Sequence, residues 1–125
     1  MTERKPAPAA KGFRPRTAAR LAAVQALFQS EQAGESPEAV VQEFVRHRLG
    51  PDGSDDGMAE GRIPDVDAKL FARIVRNTAT KIESLDAQIE KALAKDWPME
   101  KLDPVLRALL RAAAGELSHP HEPPA

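Results

Sequence analysis

The chain has 125 residues, a formal net charge of -1 and no cysteine. The absence of cysteine excludes disulfides, thiolate metal sites and a cysteine nucleophile, and the balanced total charge gives no indication of a polyanionic partner. The length fits one domain with a core of its own. No run approaches the roughly 20 apolar residues of a membrane span and the N-terminus has no apolar signal-peptide stretch, so we expect a cytoplasmic protein.

The charges are distributed unevenly along the chain. Residues 1–29 carry six basic side chains against one acidic, whereas residues 30–67 carry three basic against ten acidic. This asymmetry predicts a basic segment that meets an anion and an acidic segment that could meet a basic partner. Residues 1–13 combine proline, alanine and charge without an apolar period, so we expect them to form a disordered basic arm.

The first predicted helix runs from about Arg16 to Gln32 and ends at Gly34. Pro15 and Thr17 mark its start, because threonine is a usable N-cap and proline disfavours helix in the residue before it. The sequence between these limits is rich in alanine, and its larger apolar side chains recur at helical spacing.

One face of this helix is predicted to contact the core. At 100° per residue, Leu21, Val24 and Phe28 fall within a stripe about 60° wide, with Leu27 at its edge. Arg16 and Arg20 flank this stripe, where water and a polyanion can reach them. Solvated charges are the simpler explanation of two arginines at a helix end, because a short basic cluster is a weak nucleic-acid signal.

The second predicted helix begins at Ser36-Pro37-Glu38, which supplies an N-cap, a proline at the first helical position and an acid in the first turn. Its apolar residues are Val40, Val41, Phe44, Val45 and Leu49, and Gly50-Pro51 ends it. Residues 51–62 are rich in glycine and acids and predict a flexible acidic loop. The acids lack the spacing of an EF-hand, so a calcium loop is rejected.

A third helix is predicted from about Val66 to Ala94, capped by Asp65 or Asp67, because the stretch from Asp65 to Trp97 contains neither glycine nor proline. Apolar residues recur along it in steps of three and four. A coiled-coil dimer is less favoured, since the stripe contains threonine and alanine and the flanking charges are not arranged in pairs.

Two proline-led helix starts follow in quick succession. Pro98 opens a single turn, and Asp103-Pro104 opens a helix that runs to about Leu117. Arg107 and Arg111 share one side of this helix. The opposite side is predicted to face a core and comprises Leu102, Val105, Leu106, Leu109, Leu110 and Ala113. No segment has the alternation of a strand, so the predicted class is all-α with about five helices.

No pattern in the sequence indicates catalysis or a cofactor. There is no glycine-rich phosphate loop after a strand, and no arrangement of hydroxyl, imidazole and carboxylate suggests a nucleophile. Residues 118–125 form a proline-rich tail in which His119 and His121 lie near Glu122. A metal site could be drawn there, but two imidazoles without a third ligand nearby are typical of an exposed tail.

Two stretches resemble the NusB family of bacterial transcription antitermination factors: RTAARLAAVQALFQ at residues 16–29 and WPMEKLDPVLRALLRAAAGEL at residues 97–117. The helix between them, with its SLDAQIE string, is similar to the family's third helix. The resemblance implies an all-α fold of two subdomains. It also implies two further C-terminal helices, roughly 40 residues, that this chain lacks, so the 97–117 segment is expected to lose neighbours.

The resemblance also implies a function that involves neither a cofactor nor catalysis. Family members bind the boxA element of nascent RNA together with NusE, a ribosomal small-subunit protein, and so keep RNA polymerase processive on ribosomal RNA operons. The implied surface combines arginines that neutralise phosphates with Phe28, which stacks on a base and replaces a more usual tyrosine. Arg111 is a weaker candidate. The predicted RNA-binding residues are Arg14, Arg16, Arg20, Phe28, Lys101 and Arg107.

Two alternatives remain open from the sequence. The chain could be a protein-interaction adaptor without RNA specificity, in which the acidic region from Glu31 to Asp67 docks a basic partner. It could also be the NusB-like RNA-binding domain of a ribosomal RNA cytosine methyltransferase, although the VQALF and WPMEKLDP strings fit NusB itself better.

Overall fold

The computed structural model describes residues 14–49 and 66–118. Within these ranges the chain contains no strand, and its elements are α1 (Pro15–Ala33), α2 (Pro37–His47), α3 (Ala68–Thr80), α4 (Ile82–Ala92), a 3-10 turn (Met99–Lys101) and α5 (Pro104–Leu117). The predicted all-α class is therefore confirmed. The predictions of a disordered arm at 1–13, a flexible loop at 51–62 and an exposed tail beyond residue 118 lie outside the described residues.

Three helices begin at a side-chain cap, as expected from their sequences. The side chains of Ser36, Asp67 and Asp103 accept hydrogen bonds from backbone N–H groups in the first turns of α2, α3 and α5, at 3.1, 3.0 and 2.8 Å. These bonds satisfy donors that a helix start leaves without an intrahelical partner.

The C-terminal limit of α1 agrees with the prediction, whereas its N-terminal limit differs. Gly34 ends the helix in the left-handed region at φ 70°, as predicted, and its N–H donates to the carbonyl of Ser30. The expected N-cap at Thr17 is wrong, because α1 already begins at Pro15. The cap position is Arg14, whose extended backbone leads into the proline and whose side chain makes no capping bond.

The central element of the described structure is α1, which packs against α2, α3 and α5. The main core lies between these four helices and includes the stacked rings of Phe44 and Phe71, whose centroids are 5.5 Å apart. A second, smaller cluster of Ile89, Met99 and Leu102 lies between α4, the 3-10 turn and α5.

The face of α1 predicted to contact the core is only partly correct, since Val24 and Phe28 pack against the main core and Leu27 is buried in it. Leu21 is 43% exposed, and Val24 and Phe28 are only partly buried. Most buried residues lie on the opposite side of the helix and are Ala18, Ala19, Ala22, Ala23 and Ala26; Leu27, at the edge of the predicted face, is also buried. Three helices pack against α1, and small alanine side chains let their backbones approach closely, so the alanine face is buried in preference to the larger residues.

The third predicted helix is divided at Lys81, where φ is -109° and ψ is 19°. The Thr80 hydroxyl donates a 2.9 Å hydrogen bond to the carbonyl of Arg76, one turn earlier. Such bonds compete with the backbone ladder and bend helices. The result is that α3 packs in the main core while α4 packs against α5.

The faces of α5 are largely the reverse of the prediction. Leu102 and Leu110 belong to the second core cluster, as expected, but four other predicted core residues are exposed: Val105, Leu106, Leu109 and Ala113. The buried face is formed by Ala108, Ala112 and Gly115. A Cβ at Gly115 would overlap the Thr78 hydroxyl, so the glycine permits the close approach of α5 to α3.

Candidate nucleic-acid interface

The basic residues at the start of α1 occupy one end of the helix bundle. Arg14 is exposed immediately before the helix, and Arg16 is partly buried in its first turn. The N–H of Asp67 donates to the carbonyl of Pro15 at 3.1 Å, which fixes the start of α1 beside the start of α3. The backbone that presents these arginines is therefore held in place.

Arg20 forms a double hydrogen bond with Glu116 of α5. Its Nε lies 2.9 Å from both carboxylate oxygens, and its Nη2 lies 2.7 Å from Oε2. The Arg20 side chain is 45% exposed and that of Glu116 is 20% exposed. The bond to Glu116 raises the pKa of Arg20 above its ordinary value, against the opposing effect of partial burial.

Phe28 lies on the outward side of α1, one to two turns before its end, and packs against the main core while remaining partly exposed. The ring is anchored on one side by the core and is accessible on another. A partly exposed, fixed ring is able to stack on a base at low entropic cost.

Arg107 of α5 lies in a hydrogen-bond network beside the C-terminal end of α1. Its Nε and Nη2 contact the Glu31 carboxylate, with Nη2 2.9 Å from Oε2, and its Nη1 donates to the carbonyls of Met99 and Leu102 at 2.9 and 3.0 Å. The side chain is only 11% exposed. The Arg107 guanidinium therefore offers a phosphate little access.

Two further basic residues lie near this network. Lys101 is exposed in the 3-10 turn. Arg111, the weaker candidate from sequence, binds Asp86 of α4 through two 2.8 Å hydrogen bonds, which raise its pKa above the ordinary value despite desolvation. Both α5 arginines thus face neighbouring helices.

The structure divides the predicted residues into two groups. Arg20 contacts the end of α5 and Glu31 contacts its start, so the two helices are antiparallel. Along α1, these two contacts are about 16 Å apart at 1.5 Å per residue. Arg14, Arg16 and Arg20 lie at one end, whereas Lys101 and Arg107 lie at the other, with Phe28 nearer the second group.

Sequence reasoning missed the acceptors Glu116 and Glu31. They are separated from their arginine partners by 96 and 76 residues, so no local spacing signals either pair. Only the antiparallel packing of α1 and α5 brings them together.

Comparison with known proteins identifies the family. The NusB family model matches residues 17–125. The chain is 56% identical over 111 residues to a transcription antitermination protein NusB of Granulibacter bethesdensis, covering 89% of this chain and 68% of that protein.

The chain belongs to the NusB family.

Two other family members have the same name. That of Gluconobacter oxydans is 49% identical over 104 residues, covering 83% of this chain and 64% of its own, and that of Caulobacter vibrioides is 40% identical over 112 residues, covering 90% and 72%. The chain thus spans about two thirds of the length of these NusB proteins. No solved structure matches it significantly.

The described part of this NusB-family chain also contains an acidic cleft of about 570 Å³ between α1, α4, the 3-10 turn and α5. Arg107 and Arg111 lie at its side, and its carboxylates come from Glu31, Glu83, Asp86, Glu90 and Glu100. Within residues 14–49 and 66–118, no three potential metal ligands form a group, and no helix is long and apolar enough to cross a bilayer.

Proposed function

We propose that this chain is a cytoplasmic transcription antitermination factor that binds the boxA element of nascent RNA together with NusE. In this role it joins the antitermination complex on RNA polymerase and supports processive transcription of ribosomal RNA operons. Family membership supports this proposal, since the relatives described above are named as antitermination proteins. Their names favour this function over the methyltransferase-domain alternative.

The observation that carries the proposal is the set of accessible groups on α1. Arg14 is exposed at the N-cap of this helix, and within the helix Arg20 is nearly half exposed and Phe28 is partly exposed. Guanidinium groups neutralise phosphates, and an aromatic ring stacks on an unpaired base, so the combination suits single-stranded RNA. Arg16 and Lys101 complete the proposed surface, while Arg107 offers a phosphate little access.

The test measures RNA affinity by fluorescence anisotropy over a series of salt concentrations. The double variant Arg16→Ala, Arg20→Ala is expected to bind boxA-like RNA more weakly, with a slope of log affinity against log salt shallower by about 1.4, or about 0.7 per phosphate contact on a single strand. The matched control, Arg46→Ala with Lys69→Ala, removes the same charge from exposed positions on α2 and α3. Equal affinities of the two double variants would reject the assignment.

The adaptor alternative is tested by pull-down with the ribosomal partner. Retained partner binding by a chain that binds no RNA would favour it. Two acidic residues of the 31–67 region are already engaged within the molecule, Glu31 by Arg107 and Glu38 by Arg76. This engagement leaves them less available for docking a basic protein.

A further inference from the structure

The pairing of Arg20 with Glu116 uses only one edge of the guanidinium group. Glu116 accepts from Nε and Nη2, which form the side edge of the planar group. A guanidinium has five N–H donors in a fixed geometry, and two of its edges can each bind a two-oxygen acceptor. Among the described residues, Nη1 makes no hydrogen bond, so the end edge formed by Nη1 and Nη2 remains available.

The Glu116 carboxylate, which binds Arg20, is largely buried and lies on a fixed helix end. Glu116 is four-fifths buried, whereas Arg20 is nearly half exposed. The last turn of α5, which carries Glu116, is fixed by a 2.8 Å hydrogen bond from the Asn77 side chain of α3 to the carbonyl of Gly115. The acceptor side of the pair is therefore rigid, and the donor side chain is nearly half exposed to water.

We propose that Glu116 is a positioning residue that fixes the Arg20 guanidinium so that its end edge binds one phosphate of the RNA through two parallel hydrogen bonds. This inference rests on the proposed function and adds to it a residue outside the predicted set. An arginine without this restraint must give up side-chain freedom when it binds, whereas the paired arginine has already lost it on folding. The carboxylate lies on the opposite edge, farther from the phosphate than the guanidinium is, so its repulsion of the phosphate is weaker than the attraction of the guanidinium.

A second arginine–glutamate pair of similar geometry makes it possible to distinguish a positioning role of Glu116 from a purely structural one. One partner of the pair is nearly half exposed, which limits the contribution of the pair to folding, so variants of Glu116 are expected to fold. Arg76 and Glu38 form a second pair with the same two-bond geometry between α2 and α3, with bonds of 2.8 and 2.7 Å. This second pair lies away from the start of α1 and supplies a matched control.

The experiment is a double-mutant cycle in the full chain, with boxA-like single-stranded RNA and anisotropy as the readout. We expect Glu116→Ala to weaken binding about three- to tenfold, as expected when one long side chain must be ordered on binding. Arg20→Ala should weaken binding further, and the double variant should bind no more weakly than Arg20→Ala alone. Arg20→Lys keeps the charge but lacks the two-pronged geometry, so its affinity should lie between those of the parent and Arg20→Ala.

The controls separate the possible failures. Glu38→Ala is expected to leave RNA affinity unchanged, and thermal melting confirms that each variant is folded at the assay temperature. If Glu116→Ala binds RNA as well as or better than the parent, or weakens binding equally in the Arg20→Ala background, the positioning role is refuted while the proposed function stands. If Arg20→Ala itself has no effect, the proposed interface and this inference are both refuted.

Discussion

At the scale of single residues, Glu38 shows how strongly a surface pair affects a carboxyl group. Hydrogen bonds from Arg76, and then from Gln42, lower the pKa of Glu38 from 4.5 to about 2. The folded state therefore favours the ionised form more than the unfolded chain does. The contribution of this pair to stability is fully present above pH 4.5 and is lost as the pH falls through about 2.

This shift predicts a titration that can be followed by NMR. The side-chain carbon signal of Glu38 should have its midpoint at a lower pH in the folded protein than in the urea-unfolded chain. Replacing Arg76 by alanine removes the largest cause of the shift and should move the folded midpoint back toward 4.5. A parent midpoint already near 4.5 would show that the pair is not formed in solution.

The sequence identified the basic residues of the candidate site but not their surroundings. Exposure at Arg14 follows from its place before a helix, and this could be expected. The accessibility of Arg20 and Arg107 could not, because it depends on Glu116 and Glu31, which lie far along the chain and meet the arginines only after folding. An arginine's role is therefore set by acceptors that no local pattern reveals.

At the scale of helices, local signals predicted the starts well and the buried faces poorly. The caps at Ser36 and Asp103 need only neighbouring residues, so the sequence contains all the information. The faces of α5 depend on its neighbours. Ala108 and Ala112 allow close packing, and the Arg107 and Arg111 stems reach acceptors on α1 and α4, so this side is buried although the leucine side is more hydrophobic.

This reversal predicts different costs for the same substitution at two leucines. Leu102 is 4% exposed, so Leu102→Ala should lower the free energy of unfolding by about 2–4 kcal/mol. Leu109 is 48% exposed, so Leu109→Ala should cost less than about 1 kcal/mol, since about half of its surface is already in water and alanine favours helix.

Urea denaturation followed by circular dichroism measures both free energies. Val105→Ala is a suitable second control, because Val105 is also exposed on α5 and its truncation should lower the free energy of unfolding by a similarly small amount. Equal losses at Leu102 and Leu109 would mean that the leucine side of α5 is buried in solution, as the sequence pattern alone predicted.

At the scale of the whole molecule, the position of α1 explains which parts of the fold could be predicted. The class, the family and the order of the helices follow from the sequence. The buried face of α1 does not, because hydrophobicity ranks Leu21 and Phe28 above alanine. The alanine face is nevertheless the buried one, because α1 is surrounded by α2, α3 and α5, and a central helix needs small side chains for close contact.

The hydrogen bonds of Arg107 connect α5 with α1 and with the 3-10 turn, and we expect their loss to destabilise the fold. The Arg107 guanidinium links the Glu31 carboxylate of α1 to the carbonyls of Met99, in the 3-10 turn, and Leu102, just after this turn. Arg107→Ala leaves these acceptors without their donor, so the free energy of unfolding should fall by about 2–3 kcal/mol. The melting temperature should then fall by on the order of 10 °C.

Arg76→Ala is the control, because it breaks an exposed pair and should change the melting temperature much less. RNA affinity, measured well below the melting temperature, completes the test. If Arg107 acts mainly within the fold, the folded variant should bind RNA with nearly the parent's salt dependence, because no phosphate contact has been removed. An unchanged melting temperature together with a shallower salt slope would instead assign Arg107 to the RNA surface, as the family resemblance implied.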